Sequence, residues 1–248
     1  MFSAIKKIKI IIVNKIFKYF IFPRIYFFDS IVRLTKTPFL KERLDRMEFF
    51  YNSFSYLSFN EIKGDYCEFG CHGGATFSYA YHEAKRFCYE AKFFAFDSFQ
   101  GLPKFWRTGF DVGKFSTSNG KAPIFEEKNI KIIDGLFEET CDIFFKLQRE
   151  QKNTIALLHI DCDIYSSTKT IFNAIEKYMN MDIDNNNRIN LLRNGTIIVF
   201  DELLCYNGFE KHELLAFYEF LQNNPKISYE IIGTKHIGCM SVAIKLII

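Results

Sequence analysis

From residue 66 onward, short apolar runs alternate with amphipathic stretches in a regular order. Runs of four to eight apolar residues bounded by Gly or Asp read as buried strands, and apolar positions recurring three and four apart read as helices. The pattern predicts strands at residues 66–69, 93–96, 130–133, 154–161 (TIALLHID) and 195–202 (GTIIVFDE). Between and after them it predicts helices over about 76–89, 138–151, 167–181 and 212–222. The tail, ISYEIIGTKHIGCMSVAIKLII, holds two apolar runs around residues 233–238, most simply a terminal hairpin. This alternation predicts a doubly wound α/β fold with a mostly parallel sheet, a terminal antiparallel hairpin and N-terminal helices.

Upstream, KERLDRMEFFYNSFSYL has helical spacing, with Leu44, Met47, Phe50 and Tyr51 on one face. Gly64-Asp65 then interrupts the chain. The expected organisation is an N-terminal helical appendage over 1–63 and a catalytic domain over 64–248. Residues 101–128 lack periodicity and read as a long loop, of the kind that usually carries function. Phe105 and Trp106 are its candidates for closing over a ligand. The asparagine-rich DIDNNNRIN at 182–190 reads as an exposed insertion.

Composition narrows the classes. Apolar residues at 48% and charged residues at 25% describe a globular protein. A net charge of +3 with no basic stripe gives no reason to expect a nucleic-acid partner. Seven scattered cysteines without a CxxC pair suggest reduced thiols in the cytoplasm and argue against zinc. Residues 1–34 are rich in Ile and Phe but broken by lysines, so a spanning helix or a secretory leader fits poorly. That segment reads as an amphipathic helix packed on protein, with a peripheral contact at the inner membrane face as the second reading. Homodimerisation through it is a further option that no pattern decides.

The candidate chemistry lies at the strand ends. In an open α/β sheet, ligands bind beyond the carboxyl ends of strands. Strands here end on Asp97, Asp134, Asp161 and Asp201-Glu202, and Glu68 lies near the end of the first. The turn from Glu68 to Thr76 (EFGCHGGAT), with Gly70 and Gly74, lets backbone approach a ligand. His72 occupies the position where a dinucleotide fold needs its second glycine, which disfavours NAD or FAD. A cationic ligand such as S-adenosylmethionine suits Glu68 better, with Asp97 placed for the ribose hydroxyls. The alternative is a tight turn with no ligand. Alternation would send Asp161 and Asp163 the same way, towards Asp201 and Glu202. Asp161, Asp201 and Glu202 offer hard oxygen ligands for magnesium, unless they serve as helix caps. His159, in an apolar run, and His236 in the tail carry no assignment.

The stretches GDYCEFGCHGGAT, FFAFDSFQGLP, IIDGLFEET, LLHIDCDIYSST and GTIIVFDEL resemble the macrocin O-methyltransferase family, which methylates sugar hydroxyls. FDSFQGLP is the most specific of them. The resemblance spans about Gly64 to Phe220 and implies a Rossmann-like fold binding S-adenosylmethionine, with magnesium at the fourth and fifth strand ends. It places Asp161, Asp201 and Glu202 on the metal ligands and Asp163 on the general base. Glu68, Gly70, Asp97 and Ser98 fall on the cofactor site, to which Gly74, Thr76, Asp134 and Gly135 are added from the neighbouring turns. The sequence departs from the family in carrying Glu202 where a second Asp is usual and Gly73 where an Arg is common. The implied activity is methylation of a sugar-containing acceptor. Competing readings are a metal-independent methyltransferase on a phenolic or lipid acceptor, a non-catalytic scaffold, and a membrane-surface interaction protein.

Overall fold

A computed structural model describes residues 38–179, 191–237 and 239–248. The expectations for residues 1–34 and for the 182–190 insertion lie outside the described residues. The chain divides into two compact units, Met1–Asp45 and Arg46–Ile248, and the second carries the sheet. Its first element is the part of α1 (Pro38–Phe59) that follows Asp45. There follow β1 (Asp65–Phe69), α2 (Ala75–Arg86), β2 (Phe93–Asp97), β3 (Ile130–Asp134) and α3 (Phe137–Glu150). Then come β4 (Ile155–Ile160), α4 (Tyr165–Met179), β5 (Leu192–Leu204), α5 (Glu213–Asn223), β6 (Ser228–Ile237) and β7 (Cys239–Ile247).

Seven strands form one sheet in the order β3-β2-β1-β4-β5-β7-β6. The first five run parallel, β7 pairs antiparallel with β5, and β6 with β7. This is the expected doubly wound sheet with a terminal hairpin. The chain leaves β1 towards β2 and β3, then returns to lay β4 on the other side of β1. Helices at such a reversal diverge, so the gap beyond β1 and β4 is where this architecture receives ligands.

Parallel strands covered on both faces are nearly continuous apolar runs, and β4 is buried at every position. One face packs Phe69, Phe145, Ile160, Phe172, Phe200 and Phe220 beneath α3, α4 and α5. The other packs Tyr66, Phe77, Phe93, Leu157 and Val199 beneath α1 and α2. The α1 residues Phe50, Phe54 and Leu57 lie almost wholly out of solvent there. Each buried side chain of that size contributes roughly 1.5–3 kcal/mol.

Three details differ from the sequence pattern. Tyr51 was expected to share the buried face of α1 with Phe50, but it is 42% exposed while Phe49, Ser53 and Phe54 are buried. The buried stripe runs one position to the side, because Phe49 and Phe50 straddle it. Next, β5 does not end on Asp201-Glu202 but continues to Leu204. Finally, β4 stops at Ile160, so Asp161 and Asp163 stand beyond the strand, where strand alternation no longer governs them. Among the described residues no helix is long and apolar enough to cross a membrane.

Candidate active site

The turn after β1 is locked to its neighbours. The Gly70 amide donates to the Phe96 carbonyl at 2.8 Å, and the Asp161 amide donates to that of Phe69 at 2.9 Å. Gly70 has φ +91°, and a Cβ there would lie 1.7 Å from the Asp161 carbonyl oxygen. Glycine is therefore obligatory where β1 and β4 release their loops. Gly74, with φ +78°, caps the start of α2, and Thr76 lies in that helix's first turn.

Asp97 closes β2 and is held on both oxygens. Its Oδ2 accepts from the His72 amide at 2.7 Å and its Oδ1 from the Phe99 amide at 2.7 Å. This one side chain ties the glycine turn to the loop after β2. Each oxygen keeps a second lone pair for a ligand hydroxyl. Ser98 Oγ accepts from the Gln100 amide at 3.3 Å. Asp134 sits opposite Asp97 in register and is exposed, while the Gly135 amide donates to the Asp97 carbonyl at 3.1 Å.

Glu68 is fully buried. Its Oε2 accepts from the Tyr66 hydroxyl and lies 3.4 Å from His159 Nδ1. Its Oε1 has no partner. His159 thus occupies a built position beside Glu68, with which it is in register across β1 and β4. A buried carboxylate oxygen without a donor is costly, so a cationic group at the switch point fits this site.

The β4–β5 edge is crowded with acids. Asp163 has φ +63°, and the Ile164 amide donates back to the Cys162 carbonyl at 2.6 Å across it. That tight, strained turn, rather than strand alternation, brings Asp163 beside Asp161. Candidate ligand atoms of Asp161, Asp163 and Glu202 lie within 4.8 Å of one another, as do those of His159, Asp161 and Asp201. The two triads share Asp161 and separate Asp201 from Glu202. The continuation of β5 explains the separation, since successive strand residues face opposite sides of the sheet.

These acids hold protons tightly. Burial, then the Asp201 charge, pushes the Asp161 carboxyl well up, and burial with four neighbouring carboxylates does the same to Glu202. Burial also raises Asp163, to about 6, against a lowering hydrogen bond from Glu202. Glu202 Oε2 is buried without a partner. A hard divalent cation fits such a set, because it would relieve the repulsion and satisfy the unpartnered oxygen.

Three residues without an assignment from sequence belong to this edge. His159 is one. Another is Arg46 of α1, whose Nη2 lies 2.6 Å from Asp201 Oδ2 and whose Nη1 lies 3.5 Å from Asp161 Oδ2. It stands one turn before Phe49 and Phe50, so a charge continuing a buried stripe was the available signal. The third is Glu213, fully buried at the start of α5, whose Oε1 accepts from the Cys162 amide at 3.4 Å beneath the Asp163 turn. Above the edge, the long loop docks Trp106 in a small cluster with Leu102, Ile164 and Tyr206, while Phe105 is exposed. Arg107 stacks on Trp106 at 4.1 Å and on Phe110 at 4.4 Å.

No protein-family model matches the chain, and its sequence matches no curated protein. The sheet order is that of a Rossmann-like fold, and the solved structures it resembles are methyltransferases. The structure is similar to the calicheamicin methyltransferase CalS11, at TM-score 0.60 and 16% identity over 94% of this chain and 89% of that one. It is also similar to the O-methyltransferase NovP, at TM-score 0.55 and 16% identity over 81% and 78% of the two chains. Apo CalS11, described as a TDP-rhamnose 3'-O-methyltransferase, aligns at TM-score 0.54 and 18% identity over 94% and 90%. At these identities the likeness is one of fold.

Proposed function

We propose that this protein is an S-adenosylmethionine-dependent O-methyltransferase that uses magnesium and acts on a hydroxyl of a sugar-containing acceptor. The observation that carries the reading is the Asp161–Asp163–Glu202 cluster, whose Asp161 packs directly against the locked glycine turn in a methyltransferase fold. The sugar acceptor is supported by the motifs shared with sugar O-methyltransferases and by the TDP-rhamnose activity ascribed to CalS11.

In this reading Glu68 faces the cationic part of the cofactor with its unpartnered oxygen. Asp97 takes the ribose hydroxyls on the lone pairs its two amide donors leave over, and Ser98, Asp134 and Gly135 line the same edge. Asp161 would hold magnesium, with Asp201 and Glu202 reaching it from opposite faces of β5. When bound, that ion supplies Lewis acidity that lowers the pKa of an acceptor hydroxyl. Asp163 receives the proton of that hydroxyl. General bases contribute about two to four orders of magnitude. Glu213 supports the turn that presents Asp163. Because displacement at a methyl carbon is in-line, holding acceptor and donor in register supplies much of the rate.

Calorimetric titration of S-adenosylmethionine and its demethylated product, with magnesium and with EDTA, tests this. Micromolar binding of both, followed by methyl transfer to nucleotide sugars or glycolipids that EDTA abolishes, is expected. Absence of binding in either condition would overturn it. Cofactor binding with EDTA-resistant transfer to a phenol or lipid head group would instead establish the metal-independent alternative.

A further inference from the structure

Arg46 is the only cation that the salt bridges of the described residues place on these acids, and it stands on the carboxylate that the two triads share. Its contacts are unequal. The 2.6 Å approach to Asp201 is a close charge-assisted bond, whereas 3.5 Å to Asp161 is a looser ion pair. Asp201 is buried to within 3% of complete, so without a counter-charge it would carry a large desolvation cost. A guanidinium and a divalent ion cannot fill the same lone pairs of Asp161 and Asp201.

We propose that Arg46 is a built-in counter-cation of the acidic edge, which a divalent ion must displace from Asp161 and Asp201 in order to bind. The proposal rests on the metal reading given above. It makes Arg46 a residue that sets metal affinity without touching the acceptor: it keeps the acids folded together in the ion-free protein and weakens the ion's hold. Removing the guanidinium frees Asp201 to join Asp161 and Glu202 and removes a repelling charge a few ångströms from the ion. At that range, even with strong screening, the gain in affinity is about tenfold or more.

The test is a titration of the full chain with Mn²⁺ at pH 7.5, following the electron paramagnetic resonance signal of the free ion. Wild type, Arg46→Gln and Arg46→Lys are compared, together with their melting temperatures with and without the ion. Arg46→Gln should bind Mn²⁺ about tenfold more tightly, melt lower without it and gain more from it. Arg46→Lys, which keeps a charge, should stay within about threefold of wild type. Equal or weaker binding by a folded Arg46→Gln would overturn the proposal while leaving the metal site standing. No binding by either protein would overturn the proposal together with the metal reading, without touching cofactor binding, which calorimetry reads separately. If Arg46→Gln folds only when Mn²⁺ is present, that dependence supports the proposal; failure to fold even then overturns it.

Discussion

The two halves of the sheet's carboxyl edge treat their acids in opposite ways. At β2, Asp97 receives a backbone amide on each oxygen, both at 2.7 Å, and is spent on joining two loops. At β4 and β5, Asp161, Asp163 and Glu202 are pressed together with one another as neighbours. Their carboxyls are pushed upward by burial and mutual charge. A carboxylate served by amides shapes a binding surface. Carboxylates crowded without enough donors are poised to bind cations and protons. In the proposed function, the first half positions a ligand and the second carries the chemistry.

The sharpest way to break this contrast is to neutralise one acid in each half. Asp163→Asn keeps a residue that tolerates the left-handed turn, so the loop should survive. Methyl transfer to the acceptor should fall by about two to four orders of magnitude while cofactor affinity holds. Transfer of labelled methyl at near wild-type rate would remove Asp163 from the reaction. Asp97→Ala should show the reverse ordering. It strips two charge-assisted amide bonds, each worth roughly 1.5–3 kcal/mol, so the melting temperature should drop and cofactor affinity should fall about tenfold or more. An unchanged calorimetric affinity for the cofactor would separate Asp97 from its binding.

The same contrast explains what the sequence could show. Strands and their acidic ends were legible because a parallel sheet imposes apolar runs, and because Gly70 and Gly74 mark a turn that only glycine permits. Asp97 could be found from its place after a strand. The division of Asp201 from Glu202 could not, since it depends on β5 running on to Leu204, and FDELL reads equally well as a strand end. Arg46 and Glu213 stayed hidden for a different reason. Their roles arise from contacts 155 and 51 residues away in the chain, and a single charge in a helix carries no signature of such a partner. Trp106 and Phe105 looked equivalent as loop aromatics, yet only Trp106 finds a pocket of apolar neighbours.

A pH comparison sharpens the picture with a smaller effect. A carboxyl whose folded pKa lies above its unfolded value binds its proton more readily in the native state. Its stabilisation is therefore complete below the unfolded value near 3.8 and is lost as pH rises through about 6. For Asp163 this amounts to about 2–3 kcal/mol, and Asp161 and Glu202 act in the same direction. Denaturant unfolding of the metal-free protein should thus show wild type losing more stability than Asp163→Asn between pH 4.5 and pH 7.5. Magnesium should restore part of the loss at the higher pH. Parallel pH profiles for the two proteins would mean that the turn does not hold its proton as described.

The smallest effect concerns the length of one side chain. Glu202 reaches the cluster from the α4 and α5 side of β5, where its Oε2 is buried and unpartnered. Glu202→Asp restores the acid usual in the resembling family but withdraws the carboxylate by one methylene, roughly 1.5 Å on a tetrahedral carbon chain. If the longer side chain compensates for the position of β5, the shorter acid should weaken Mn²⁺ binding by a few-fold, about 1 kcal/mol or less. Asp97 and the glycine turn are untouched, so the cofactor titration should not move. Tighter metal binding by Glu202→Asp would mean that the site closes around the ion when it binds, and that the extra methylene of Glu202 hinders that closure.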